Sequence, residues 1–155
     1  MWRELLRTPN SAPLAIARLG LGVVMFAHGA QKMLGWWGGP GFDGAMGFFG
    51  SMGIPALFAF LAIAAEFFGG LGLILGFLSR IAAFGILVNM LVAVAMVHAR
   101  HGLFMNWTGN KGGEGFEFHL MAIAMALAII VGGGGALSID HALVHAPVQR
   151  TRYAS

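Results

Sequence analysis

The sequence predicts an all-α integral membrane protein, a bundle of four spanning helices, on three observations. Of the 155 residues, 58% are hydrophobic and 10% charged, and the mean hydropathy is +0.80. A soluble domain carries about 25% charged residues to keep its surface wetted. Four apolar runs follow one another at about residues 14–34, 56–78, 81–98 and 116–136, and crossing a bilayer core takes about 20 residues at a rise of 1.5 Å each. None of the runs alternates apolar with polar residues, as a strand of an outer-membrane barrel would. The whole chain, residues 1–155, reads as one membrane domain.

The first run follows Met1-Trp2-Arg3-Glu4-Leu5-Leu6-Arg7, a start that imitates a secretory signal. It is longer than the usual signal core of about 7–15 residues. It also contains Arg18, His28 and Lys32, so we expect a retained first helix. The loop from Gly35 to Pro55 opens with Trp36 and Trp37, which suit the aromatic belt at a membrane surface. Within it Phe42, Met46 and Phe49 recur at i, i+4 and i+7, the pattern of a short amphipathic interfacial helix. Ser79 and Arg80 alone separate the second run from the third, which predicts a tight antiparallel hairpin. A glycine-rich loop from Ala99 to Gly115 leads into the fourth run.

Basic residues set the expected orientation. Arg3, Arg7, Arg80, Arg150 and Arg152 flank one side of the spans, against Lys32, Arg100 and Lys111 on the other. That bias places both termini in the cytoplasm. The net charge of +3 is scattered rather than clustered, so no nucleic-acid partner is expected. With no cysteine in the chain, disulfides, thiolate metal sites and iron–sulfur clusters are excluded.

Polar residues at hydrocarbon depth are the informative positions, because a charge at the centre of a spanning helix costs about 2.5–3.5 kcal/mol on insertion scales. Glu66 falls near the midplane of the second run. His28 and Lys32 share one face of the first run at i and i+4. His98 ends the third run, and Glu117 and His119 open the fourth. With helices alternating in direction, all six converge on the outer half of the bundle. Arg18, Arg80 and Asn89 are left to the inner half. Blander readings stand beside this one. Lys32 can snorkel to headgroups, His98 and His119 can be ordinary interfacial histidines, and Glu66 can be structural glue between helices. Gly69, Gly72 and Gly76 form a small-residue face suited to close helix packing.

These residues also resemble a known family. Arg18-Leu19-Gly20 with His28-Gly29-Ala30-Gln31-Lys32 is similar to the first DoxX signature. Glu66 followed by Gly69-Gly70, Leu73, Gly76 and Ser79-Arg80 resembles the second. His98 and Glu117 occupy the places of a third. The glycines Gly132–Gly135 leading into Ser138-Ile139-Asp140 resemble the closing block, with a plain glycine run where Gly-Pro-Gly is usual. The resemblance implies a four-helix inner-membrane bundle. It also implies kinship with the membrane subunit associated with thiosulfate:quinone oxidoreductase and terminal quinol oxidase.

The function expected first is a subunit or enzyme of quinone- or quinol-linked redox metabolism or oxidative-stress defence. Glu66, His28 and Lys32 are its candidate catalytic residues. His98, Glu117, His119, Trp36 and Trp37 are candidate binding residues, under a lid formed by Gly35–Pro55. Quinone chemistry couples electrons to protons, so each carbonyl needs a nearby donor and a proton-accepting group. Electrons must come from a partner redox protein or a bound cofactor, and a homo-oligomer is the other expected assembly. A haem or metal held by His28, His98 and His119 is a weaker alternative, since single histidines on separate helices seldom form a site. The remaining alternative is a non-catalytic anchor, scaffold or lipid- or small-molecule-binding bundle.

Overall fold

A computed structural model describes residues 2–145. Among these residues every regular element is helical. Helix α1 spans Trp2–Leu6, α2 Ala12–Leu34, α3 Gly41–Ser51, α4 Ala56–Leu75, α5 Ser79–His101, α6 Glu117–Gly132 and α7 Ile139–His145. Helices α2, α4 and α5 are long and apolar enough to cross a membrane, while α6 is a shorter apolar helix of 16 residues. Arg150 and Arg152, part of the charge bias, lie outside the described residues.

Local chemistry sets the ends of these helices. Ser11 caps α2, its Oγ accepting from Leu14 N at 3.5 Å, with proline inside the first turn. Gly35, at φ 72°, ends the same helix in the left-handed conformation that glycine adopts without penalty. The tight connection is Gly76–Leu78 rather than Ser79–Arg80. Helix α4 stops at Leu75 because Gly76 turns left-handed at φ 67°, and Ser79 already belongs to α5. Helix α6 likewise stops four residues short of the expected 136, because Gly133 leaves helical geometry at φ 88°.

The four apolar helices form a ring in which α2 and α5 each pack against both α4 and α6. Helix α3 lies across α2 and α4, and α1 touches α7 at the opposite end of the bundle. The core is built of Leu21, Met25, Leu73, Ala83, Ile86, Met90, Ala122, Ala126 and Ile129. Large apolar side chains such as Phe58, Phe60, Phe84, Met121 and Val131 point outward, whereas Arg18, Glu66, His119 and Asp140 are buried. That distribution suits a hydrocarbon surround, where apolar groups need no shelter and charges do.

Close approach of α2 to α4 depends on glycine. A Cβ at Gly29 would stand 2.4 Å from Phe67 N, and one at Gly70 would stand 2.4 Å from Phe26 N. The closest contact on α4 is therefore made by Gly70, next to the face that Gly69, Gly72 and Gly76 suggest. At Gly69 the nearest neighbour to an added Cβ is 3.4 Å away.

Candidate functional site

Glu66 lies in a widened turn of α4, residues Ala65–Gly69, where one extra residue per turn interrupts the regular helix. Such turns re-aim side chains and recur at functional positions. Backbone contact at Gly29 holds this turn against α2 and brings Lys32, three residues on, beside the carboxylate. Glu66 is 5% exposed. Lys32 Nζ donates to Glu66 Oε2, and Asn89 Nδ2 on α5 donates to Glu66 Oε1 at 2.9 Å and to Ala62 O at 3.4 Å. Both carboxylate oxygens thus have partners, one cationic and one neutral. The carboxylate is buried while the Lys32 side chain is 27% exposed, so loss of the lysine is the costly change, leaving a buried charge with Asn89 as its partner.

Sequence position alone leaves Asn89 to the inner half of the bundle. In the structure it is a partner of Glu66. The signal was available in depth arithmetic: Glu66 is the eleventh residue of α4 and Asn89 the eleventh of α5. The two helices run antiparallel and are similar in length, so eleventh residues meet near mid-depth.

Three histidines gather beyond this pair. His98 closes a second widened turn, Val94–His98, and its ring centroid lies 4.1 Å from that of His119 on α6. His98 Nδ1 bonds to Glu114 O at 2.8 Å. The Phe118 ring is 6.0 Å from His28 and 5.4 Å from His119, between the two. His119 Nδ1 is buried and has no hydrogen-bond partner among the described residues. An unsatisfied buried nitrogen costs about 1–3 kcal/mol; Ser79 Oγ and Arg80 Nε, at the other end of the bundle, are likewise without a partner among the described residues. Among the described residues no three His, Asp or Glu side chains are arranged to hold a metal ion.

His28, Lys32, Glu66, Asn89, His98 and His119 all line one cavity of about 1030 Å³. Glu114 also lines it, and its remaining walls are apolar. Phe58 and Leu61 of α4 face Phe84, Val88 and Val92 of α5, and Phe48, Phe49 and Met52 cover it from α3. These α4 and α5 residues are also exposed, so the cavity is open at the bundle surface rather than sealed. A volume near the top of the usual 300–1,000 Å³ range, apolar walls and a few convergent polar groups are the properties of a small-molecule site.

Three expected residues sit elsewhere. Glu117 Oε1 accepts from Trp107 Nε1 at 3.0 Å in the preceding loop. Trp37 and Trp36 begin an aromatic row that continues through Phe26 and Phe67, with centroid separations of 5.5, 6.5 and 5.2 Å. Trp36 is 49% and Trp37 67% exposed, and neither lines the cavity. Spacing along the chain could place Glu117 at the right depth, but it could not say which way the side chain turns.

A second polar cluster occupies the end of the bundle near α1 and α7. Arg18 is completely buried. Its guanidinium donates to Leu73 O, to Ile74 O at 2.9 Å, to Gly134 O at 2.7 Å, to Leu137 O at 3.1 Å and to Ala136 O at 3.3 Å. The first two are carbonyls at the C-terminal end of α4, where Leu73 O also accepts from Gly76 N at 3.2 Å and a cation meets the negative end of the helix dipole. Asp140 does the converse for α5, accepting from Leu78 N and Ser79 N at 2.8 Å each. Arg80 donates to Ile130 O and Val131 O, closing α6. A concavity of about 1160 Å³ lies at this end beside Arg3, Arg7 and Arg80. Arg80 there is engaged by carbonyls, and Arg7 pairs with Glu4 at 3.7 Å.

Comparison with known proteins agrees with this architecture. The chain matches the DoxX family over residues 13–99, which takes in α2 to α5 and with them the Lys32–Glu66–Asn89 contact. It is 27% identical over 125 residues to a Bacillus subtilis (strain 168) protein named "Putative oxidoreductase CatD", covering 81% of this chain and 82% of that one. No solved structure matches it. The family match spans more than half of the chain and includes its long apolar helices: the protein is a membrane-spanning member of the DoxX family.

Proposed function

We propose that this protein handles a quinone or quinol in the redox metabolism or redox defence of the inner membrane, crossing the bilayer four times with both termini in the cytoplasm. The observation that carries the proposal is the buried Lys32–Glu66–Asn89 contact at the wall of an apolar cavity open at the bundle surface. A membrane quinone has the complementary form: a ring with two oxygens and an apolar tail. Its reduction takes two electrons and two protons. Lys32 and His28 are placed to meet a ring oxygen, and Glu66 to exchange a proton with it. His98 and His119 offer imidazoles between this centre and the glycine-rich loop, a route for protons toward the surface. Electrons come from a partner redox protein under this reading, a role for which the oxidoreductase name of the Bacillus relative is suggestive.

The test is purification in mild detergent with mass spectrometry of co-extracted lipids, followed by quinone binding to the wild type and to Glu66→Gln. Retained quinone, with binding or quinone-dependent turnover lost in the variant, is the expected result. A Glu66→Gln protein that binds quinone normally but falls apart as an oligomer favours a scaffold instead.

A further inference from the structure

Asn89 carries a further inference, which rests on the quinone reading of the cavity. Both hydrogens of its amide nitrogen are directed at atoms that accept, Glu66 Oε1 at 2.9 Å and Ala62 O at 3.4 Å. The reversed amide would set an oxygen against a carbonyl and a carboxylate, so chemistry fixes the orientation. With the nitrogen committed, Oδ1 is the remaining polar atom of a side chain that lines the cavity. It can only accept.

Its neighbours differ in kind. Lys32 Nζ can only donate, and each Glu66 oxygen already accepts one bond from a neighbouring side chain. The polar wall therefore offers a donor on one side of the carboxylate and an oriented neutral acceptor on the other. A ring carbonyl suits the donor but brings no hydrogen to Asn89. A ring hydroxyl suits both, because it accepts from one group and donates to another.

We infer that Asn89 determines specificity for the oxidation state of the ligand: its Oδ1 accepts a hydrogen bond from a ring hydroxyl, so the cavity prefers the hydroquinone to the quinone. Apolar contacts are common to the two forms and do not discriminate between them.

The experiment uses the full chain in detergent micelles, under anaerobic conditions. Quenching of tryptophan fluorescence reads the affinity for three ligands with the same alkyl tail: a benzoquinone, its hydroquinone, and the dimethyl ether of that hydroquinone. The wild type is expected to bind the hydroquinone about tenfold more tightly than the other two, the effect of one well-placed hydrogen bond. Asn89→Leu should lose that tenfold preference and bind hydroquinone, quinone and dimethyl ether with equal affinity. A residue that merely positions Glu66 would weaken quinone and hydroquinone equally in the variant, an outcome that overturns the inference. Should Asn89→Leu fail to fold, the wild-type ligand series decides alone. Equal affinity of the wild type for the hydroquinone and its dimethyl ether overturns the role of Asn89 and leaves the quinone cavity standing, whereas failure to bind any of the three overturns both.

Discussion

Two buried charged centres sit in this bundle, and they are built on different plans. At the end near α1 and α7, Arg18 bonds to five backbone carbonyls and Asp140 to two backbone amides. Their partners are main-chain groups at helix ends and in the closing loop, and apart from Leu73 O, which also accepts from Gly76 N, they would otherwise be orphaned in hydrocarbon. Near mid-depth, Glu66 bonds instead to two side chains, Lys32 and Asn89, and all three face a cavity. The first centre closes the fold and has little left to offer a ligand. The second keeps polar capacity unused beside empty volume. Buried charge in a membrane bundle thus means structure where its partners are backbone, and it points to function where its partners are side chains beside a cavity.

The comparison can be tested by breaking each centre separately. The largest effect is expected from Arg18→Met, which removes the guanidinium from Ile74 O at the end of α4 and from the carbonyls of Gly134, Ala136 and Leu137. Removing one member of a buried polar set in this way costs about 3–5 kcal/mol. Thermal unfolding in detergent should show a collapsed or poorly expressed protein, and a variant as stable as the wild type would end the structural reading of this cluster.

Glu66→Gln should act the other way round. The glutamine oxygen can accept from Lys32 or from Asn89 but not from both, so some stability is lost, while quinone-dependent turnover falls about 100-fold, within the usual range for loss of an acid–base group. Unfolding temperature measured alongside turnover separates the two effects.

Gly29→Ala probes the connection between packing and site. Its Cβ would meet the Phe67 backbone at 2.4 Å, so α2 and α4 must separate, at about 1–3 kcal/mol for overpacking. Lys32 then moves away from Glu66, and ligand affinity should drop together with stability. Gly20→Ala, with nothing within 4 Å of an added Cβ, is the matched control and should be neutral or slightly stabilising in a thermal melt.

Glu117→Gln should matter least. The amide oxygen still accepts from Trp107, and the residue lies away from the cavity. Ligand affinity is expected to stay within about twofold, on the order of 0.5 kcal/mol or less for a surface change. A tenfold loss would return Glu117 to the site.

Much of the architecture is legible in the linear chain because bilayer thickness imposes a length on each apolar run. The starts and stops of α2, the amphipathic α3 and the hairpin between α4 and α5 all follow from capping residues, periodicity and glycine. The hairpin is displaced by a few residues because left-handed Gly76 ends α4 early. The depth of Glu66 is legible too, being a matter of counting along a helix. Rotation about the helix axis is another matter. Asn89 and Glu117 show the difference: one turns toward the cavity and the other toward Trp107, and nothing in their spacing distinguishes them.

The amino-acid order by itself determined that this chain is helical, apolar and obliged to bury a few charges at known depths, since hydrophobicity and rise per residue are local properties. Only the tertiary structure decided which charges meet. Glycine contacts at Gly29 and Gly70 set the separation of α2 and α4, widened turns re-aim Glu66 and His98, and the cavity lies where α3, α4 and α5 leave space unfilled. Those are consequences of several helices packing at once, and no single segment encodes them.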